Sequence, residues 1–178
     1  AKINLFKRYD LNKIDFIFEI NEKSFKFNEA KLSLNNKNIF IPELVVLKKN
    51  NEYSILGTLK TKNTKLSKNE INKLINNKFI ELDIKEILFS SKNNFKFKIN
   101  KNLKVENLDI KSDINLDNLE LKNSLKLKDF FPKIKKNFIF KNQKIKLEYQ
   151  KDILTINGGG EVFLQNEIDE IEYEIYKK

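Results

Sequence analysis

The sequence predicts a mainly β protein: an extended, curved antiparallel sheet with an open, taco-like groove along its apolar face, and one short helix. Two observations predict it. Apolar and polar residues alternate strictly over many segments, which is the period of a strand with one face in water. Only 40% of the residues are hydrophobic, a low share for a domain that closes its apolar faces around a core. We therefore predict one β-rich segment over residues 1–178, with a helical interruption at about 67–77.

The alternating segments are distributed along the whole chain. They are residues 3–6, 14–20, 25–27, 79–84, 95–99, 145–149 and 168–176. Clusters of Asn, Lys, Ser and Asp separate them, and residues 35–38 (NNKN) and 92–94 (KNN) are typical of turns. Short turns between successive strands predict a meander in which neighbours in sequence are antiparallel neighbours in the sheet.

The segment that begins at Ser67 departs from this alternation. Ser67 and Glu70 have the spacing of a capping box, in which the glutamate side chain accepts a hydrogen bond from the N-cap amide. An apolar stripe at helical spacing follows, formed by Ile71, Leu74 and Ile75. We predict a helix over about residues 68–77. So short a helix is not stable alone, so we expect it to pack on an end or an edge of the sheet.

Between residues 103 and 127 the sequence repeats with a period of eleven residues. Each unit has the form apolar-x-apolar-x-x-apolar-x-apolar, and a bulge fits the doubled polar pairs at 106–107 and 117–118. We expect the repeat to stack similar strands side by side, with like side chains in a ladder on one face. The apolar positions are Leu103, Val105, Leu108, Ile110, Ile114, Leu116, Leu119, Leu121, Leu125 and Leu127.

The composition excludes several kinds of chemistry. Neither His nor Cys occurs, so catalytic triads built on His, disulfides and the usual zinc ligands are absent. The acidic residues near the C-terminus alternate with apolar ones, which favours a solvated strand face. The glycines at 158–160 lack the Lys and helix of a phosphate loop, so a bend or bulge is the better interpretation. Gly57 has the same interpretation. We predict no enzyme activity, no catalytic residue, no metal and no cofactor.

The formal charge of +10 has two interpretations. Nucleic-acid readers favour arginine, whereas Arg8 is the only arginine among the 35 basic residues, so we predict no nucleic-acid partner. Lysines are concentrated in residues 122–151 and acids in residues 152–176. If these lengths form neighbouring strands, Lys144 and Lys146 face Glu172 and Glu174 across the ladder. Alternatively, a basic rim contacts lipid headgroups through Lys133, Lys135 and Lys136.

The sequence also suggests a fragment. It begins with Ala1 and contains no Met, so we expect it to be a segment of a longer protein. No apolar stretch approaches the length needed to span a bilayer, and no signal-peptide pattern occurs at the start. We expect any membrane anchor to lie outside this segment.

Several segments are similar to a known family. They are residues 94–100 (NFKFKIN), the repeat, residues 127–132 (LKDFFP), and residues 154–162 (LTINGGGEV) followed by 169–173 (DEIEY). Here the chain resembles the AsmA-like proteins, of the YhdP/TamB type, from Gram-negative envelopes. The resemblance covers about residues 80–176 and rests on alternation, which is less specific than a metal or nucleotide signature. It implies a taco-shaped β-sheet that is anchored in the inner membrane and passes phospholipids through the periplasm in an apolar groove. It carries over no catalytic residue.

We therefore predict a β-groove segment of a periplasmic protein that is tethered to the bacterial inner membrane and serves envelope biogenesis. It binds phospholipid acyl chains along the apolar positions of the repeat, for lipid transport to the outer membrane. Its other partners are neighbouring β-segments of the same longer chain. Two alternatives remain open. One is a structural or partner-binding β-domain with a closed, dry core, and the other is a basic nucleic-acid-binding module with a steep salt dependence.

Overall fold

A computed structural model describes residues 3–5, 9–49, 52–75, 84–122, 133–134, 137–165 and 167–178. These residues contain ten strands and one helix. The first five strands are β1 (Ile3–Leu5), β2 (Tyr9–Asn21), β3 (Ser24–Leu34), β4 (Lys37–Lys49) and β5 (Glu52–Ser67). The helix α1 (Lys68–Ile75) follows. The remaining strands are β6 (Ile84–Ile99), β7 (Val105–Lys122), β8 (Asn137–Gln150), β9 (Ile153–Phe163) and β10 (Asp169–Lys177).

All ten strands belong to one antiparallel sheet, whose order is the order of the chain from β1 to β10. The sheet is curled but open, because β1 pairs with β2 and β10 with β9 rather than with each other. The predicted fold class, a curved open sheet with one short helix, is confirmed. Most strands have eleven or more residues, longer than the usual five or six, so the sheet is extended along the strands as well as across them.

The part of the eleven-residue repeat from residue 105 to residue 122 lies along a single strand, β7, and residues 123–127 lie outside the described part of the chain. The prediction that successive units of the repeat stack as strands side by side was therefore wrong for the units that β7 contains. The predicted bulges are confirmed. The pairing of β7 with β6 shifts by one residue between Lys96 and Lys98 and again between Leu88 and Phe89, opposite the two doubled polar pairs. Eleven is an odd number, so plain alternation would place equivalent residues of successive units on opposite faces. The one extra residue in each bulge returns the equivalent apolar residues of successive units to the same face of the sheet.

Two hairpins use the tight turns that suit the twist of a sheet. Asn35 and Asn36 have φ of 47° and 64°, and Lys151 and Asp152 have φ of 51° and 63°. Two successive left-handed residues form a type I′ turn, which asparagine and aspartate tolerate. The turn predicted at residues 35–38 is confirmed at its first two positions.

The turn predicted at residues 92–94 was wrong, because these residues lie in the middle of β6. The side chains of Asn93 and Asn94 bond to the neighbouring strand. Asn93 Nδ2 donates to the carbonyl of Leu59 at 3.4 Å, and Asn94 Oδ1 accepts from the hydroxyl of Thr58 at 2.8 Å. An asparagine favours a turn when its side chain bonds to its own local backbone. Here the partner strand supplies the contact, and the strand continues.

The helix α1 begins with the predicted capping box. The Ser67 amide donates to Glu70 Oε2 at 2.8 Å, and the Ser67 hydroxyl donates to the same oxygen at 2.8 Å. Lys37, at the start of β4, forms an ion pair with Glu70 at 3.1 Å. Ile71 is only 3% exposed, and the helix lies against β5 and β6. The last two residues of the predicted span, 76 and 77, lie outside the described part.

Two glycines give room to aromatic rings on the neighbouring strand. Gly57 lies directly opposite Phe95, and Gly158 lies directly opposite Tyr173. A Cβ atom would lie 2.9 Å from the Phe95 ring at position 57 and 2.6 Å from the Tyr173 ring at position 158. The ring therefore covers the bare backbone of each glycine, an arrangement that compensates for its missing side chain. Burial raises the pKa of Tyr173 above its ordinary value.

We expect Gly158→Ala to destabilise the fold by roughly 1–3 kcal/mol, because the added methyl group overlaps the Tyr173 ring. In a Tyr173→Ala background the same change becomes neutral or stabilising, since alanine restricts the unfolded chain more than glycine does. Urea unfolding of the four proteins in this double-mutant cycle measures the coupling. Equal costs in both backgrounds would contradict the packing described.

The hydrogen bonds from Ser67, first from its amide and then from its hydroxyl, hold the pKa of Glu70 below its ordinary value of 4.5. A lowered folded pKa means that ionised Glu70 stabilises the fold above about pH 4.5, and that this stability is lost as the pH falls through the folded pKa. We expect Glu70→Gln to lower the stability at pH 7 by about 0.5–1 kcal/mol, a modest effect because the side chain is partly exposed. Melting temperatures of both proteins, measured from pH 7 down to acid, should converge below pH 4.5. A gap that stays constant with pH would contradict this assignment.

Candidate functional site

Register places most of the apolar residues of the strands on one face of the sheet, because residues directly opposite each other on neighbouring strands share a face. Apolar residues on the other face include Ile17, Phe40, Val45 and Leu56. One row of such residues crosses nine strands. In order from β2 to β10 it consists of Phe18, Phe27, Leu44, Gly57, Phe95, Ile110, Tyr149, Leu154 and Lys177. The row is apolar from its first residue to Leu154. We call this side of the sheet the apolar face.

The apolar face is only partly buried. Of the large set of apolar side chains on it, Ala30, Leu116 and Val162 are buried, and most others are half-buried. On β2 the exposure is greater, since Phe18 is 42% and Ile20 is 66% exposed. Within the described residues, the helix is the one element outside the sheet, and it is far too short to cover ten strands. The apolar face therefore stays accessible to a ligand, and exposed apolar patches on a protein surface commonly mark binding sites.

Four phenylalanines form an aromatic cluster on this face where β2 meets β3. Phe16 lies edge-on to Phe27 with ring centroids 5.4 Å apart, and Phe18 lies 4.7 Å from Phe27. Phe18 is also stacked parallel to Phe25 at 6.3 Å. Such contacts fix the rings relative to one another. The cluster is a preformed, partly exposed aromatic surface at one side of the sheet.

The structure brings most of the predicted groove-lining residues together on β7. Six of them point to the apolar face in its half-buried or buried part: Leu108, Ile110, Ile114, Leu116, Leu119 and Leu121. Val105 is opposite Ile99 on the same face but is exposed. Leu103 does not join them: it lies before β7, with φ of 59° and 81% exposure. Leu125 and Leu127 lie outside the described residues.

A polar cluster interrupts the apolar face near its centre. The hydroxyls of Thr61 and Ser91 lie 2.9 Å apart, and Asn93 Nδ2 donates to the Ser91 hydroxyl at 2.9 Å. Ser112 lies opposite Asn93 and is buried. The sequence predicts a uniform apolar lining, and it misses this cluster. The signal that could have found it is the presence of Thr, Ser and Asn at the apolar phase of β5 and β6, where alternation requires Leu or Phe.

The opposite face, here called the polar face, carries ion pairs between neighbouring strands. Lys26 pairs with Glu43 at 2.8 Å, and Lys65 pairs with Glu86 at 2.8 Å. Three similar pairs join Lys85 to Glu120, Lys98 to Glu52 and Lys111 to Glu148. The pairs are exposed, except that Glu120 is half-buried, and each contributes little to stability. Together they place unlike charges opposite each other across the sheet.

The predicted facing of Lys144 and Lys146 with acids on a neighbouring strand was wrong in its topology. The strand β9 lies between β8 and β10, so Lys144 is opposite Gly159, and Gly159 in turn is opposite Glu172. Lys144, Glu172 and Glu174 do line one shallow depression, because glycine leaves space between the outer strands. Of the predicted headgroup contacts, Lys133 is exposed, and Lys135 and Lys136 lie outside the described residues.

Within the part of the chain that the structure describes, no group of three or more acidic residues is placed to hold a metal ion. None of the described helical residues forms a helix long and apolar enough to cross a bilayer. Comparison with protein-family models, with curated proteins and with solved structures gives no match. The resemblance to the AsmA-like proteins therefore stays a prediction.

Proposed function

We propose that the apolar face binds the acyl chains of phospholipids, and that this chain is a lipid-binding or lipid-conducting segment of an AsmA-like envelope protein. The observation that carries the proposal is the apolar row that crosses the open sheet from Phe18 to Leu154. In the proposed setting the segment belongs to a protein that is tethered to the inner membrane and extends into the periplasm. Phospholipid then moves along the face towards the outer membrane.

The proposed mechanism is partition between water and an apolar surface. Covering apolar area releases roughly 25 cal/mol per Å², so a few hundred Å² of contact supplies several kcal/mol. The backbone groups of interior strands are already paired in the ladder, so an acyl chain contacts side chains and leaves no peptide group unpaired. The headgroup stays in water at the side of the sheet. The aromatic cluster on β2 and β3, where Phe16 and Phe18 are exposed, is where a chain first makes contact.

The polar cluster of Thr61, Ser91 and Asn93 is compatible with a passing acyl chain. These side chains bond to each other and to the Leu59 carbonyl, so they are already paired when a chain covers them. A paired polar group costs much less to remove from water than an unpaired one. The cluster therefore lowers the affinity locally without blocking the face.

The two alternatives find less support. A closed, dry core needs a second layer or a closed barrel, and the described sheet is open. A platform for single-stranded nucleic acid needs aromatic rings among lysines on the same face. The aromatic cluster of β2 and β3 lies instead on the apolar face, away from the ion-paired lysines of the polar face. On the polar face Phe40 and Phe163 lie beside lysines on separate strands, so these two rings do not form a platform of neighbouring rings.

Substitution of one exposed residue on each face of the sheet, in two separate variants, tests the proposal that the apolar face binds acyl chains. Phe18 and Ile17 are neighbours on β2, are 42% and 55% exposed, and point to opposite faces. We expect Phe18→Asp to reduce bound phospholipid several-fold, because a carboxylate would have to lie against the acyl chain. We expect Ile17→Asp to leave it unchanged. Lipid extraction and mass spectrometry of the gently purified proteins give the measurement.

Circular dichroism confirms that each variant is folded before its lipid content is compared. Leu116→Asp is unsuitable as a binding variant, because Leu116 is only 8% exposed and a buried carboxylate would unfold the sheet. Absence of phospholipid from the folded parent protein, or equal loss in the Phe18 and Ile17 variants, would refute lipid binding at the apolar face.

A further inference from the structure

A depression of about 920 Å³ opens on the polar face and extends from β2 to β7. Its centre is a row of residues that lie directly opposite one another on successive strands. From β3 to β7 the row consists of Lys31, Phe40, Lys60, Lys92 and Asp113. All five line the depression. A volume of this size is typical of small-molecule sites.

Bulges in the strands create the depression. Lys13 in β2 and Asn63 in β5 have φ of 52° and 48°, and both line it. The pairing shifts register at each of these residues and again in β4 between Phe40 and Glu43. A bulge bends its strand and increases the local twist. Three bulges close together therefore fold the polar face inward at this point.

The depression carries an uncompensated positive charge. Five lysines line it, against one acid, Asp113. The five are Lys13, Lys31, Lys60, Lys62 and Lys92. Five other lysines of the polar face form ion pairs, whereas none of these five has an ion-pair partner among the described residues. Lys96, Lys144 and Lys146 on the same face likewise form no ion pair with a described residue, but they lie outside the depression. Asp15 and Asp113 lie opposite Lys31 and Lys92, respectively, in the ladder without forming an ion pair.

One contact in the row is unfavourable as it stands. Lys60 and Lys92 are directly opposite each other on neighbouring strands, roughly 5 Å apart at the backbone. Like charges in this position destabilise a sheet. The next residue on the β4 side is Phe40, which offers no charge to either lysine. An anion bound between the two ammonium groups would remove the repulsion and gain two charge-assisted hydrogen bonds.

The remaining lining indicates which anion fits. Asn38 and Asn115 supply amide donors around the lysines, and Phe40 supplies an apolar floor. The Ser90 hydroxyl also lines the depression and accepts a hydrogen bond from the Asn63 amide. The sheet residues at the base of the depression, whose positions belong to the apolar face, are Leu32, Ile39, Thr61 and Ser91. Lysine acts as a point charge rather than as a planar fork, so the site selects for charge density more than for a fixed ligand plane. Several ammonium groups on strands next to each other match several closely spaced phosphate groups.

We propose that this depression binds a compact anion that carries several phosphate groups. The site lies on the face opposite to the proposed lipid surface, so it adds a second ligand and does not depend on acyl chains at the apolar face. Two sources offer this chemistry: a soluble polyphosphate compound and the headgroup of a multiply phosphorylated lipid.

Calorimetric titration with sodium tripolyphosphate tests the proposal. We expect Lys60→Gln with Lys92→Gln to weaken binding at least tenfold. The matched control is Lys26→Gln with Lys111→Gln, which removes the same charge from two ion-paired lysines of the same face. We expect the control to change the affinity less than twofold. Thermal unfolding adds a second measure, since loss of the Lys60–Lys92 repulsion should preserve or raise the melting temperature of the first variant.

Sedimentation with phosphatidylcholine vesicles that contain phosphatidylinositol bisphosphate distinguishes the two sources. Sedimentation that tripolyphosphate abolishes assigns the site to a lipid headgroup, and tripolyphosphate binding without sedimentation assigns it to a soluble anion. Phe18→Asp should leave tripolyphosphate binding intact, which separates this site from the apolar face. No binding by the parent protein, or equal losses in the two lysine variants, would overturn the proposal, because only net charge would then be sensed.

Discussion

Backbone hydrogen bonding between successive strands holds this molecule together more than a packed core does. Among the described residues the buried apolar side chains are few: Ala30, Ile71, Leu116, Ile134 and Val162. The ladder therefore fixes the positions of the side chains, and its register decides which of them share a face. Bulges also decide which side chains share a face, because the extra residue in a bulge moves the following side chains of that strand to the opposite face. Both proposed sites are products of register.

Local patterns in the sequence predicted the features that arise locally. Alternation gave the meander, Ser67 and Glu70 gave the helix start, and the doubled polar pairs gave the bulges of β7. The errors concern residues whose role is decided by the next strand. The sequence around Asn93 and Asn94 is typical of a turn, but both side chains form hydrogen bonds with β5, and the strand continues through them. Likewise, the period of the repeat at residues 103–127 does not indicate whether the chain turns back between units or continues as one strand.

The same division applies to the sites. The apolar positions of β7 could be predicted because they follow one another along the chain. The prediction that Leu103 lines the groove was wrong, because the strand begins after this residue. The lysine row could not be predicted in this way. Lys31, Lys60 and Lys92 are about thirty residues apart in sequence and are brought into one row only by the registers of three pairings. Which residues form a row across several strands cannot be predicted until the length of every turn and the position of every bulge are known.

The chain-order topology has a consequence for how such a molecule changes over evolutionary time. Among the described residues, each strand contacts the strands before and after it and no other strand, and the short helix contacts β5 and β6. Molecules built this way are quasi-one-dimensional, so a hairpin can be gained or lost with disturbance only at the two strands that flank it. Length then becomes a freely adjustable property. A protein with this topology can gain hairpins until its sheet spans the distance that its function requires. Each added hairpin continues the apolar face and the polar face of the strands beside it.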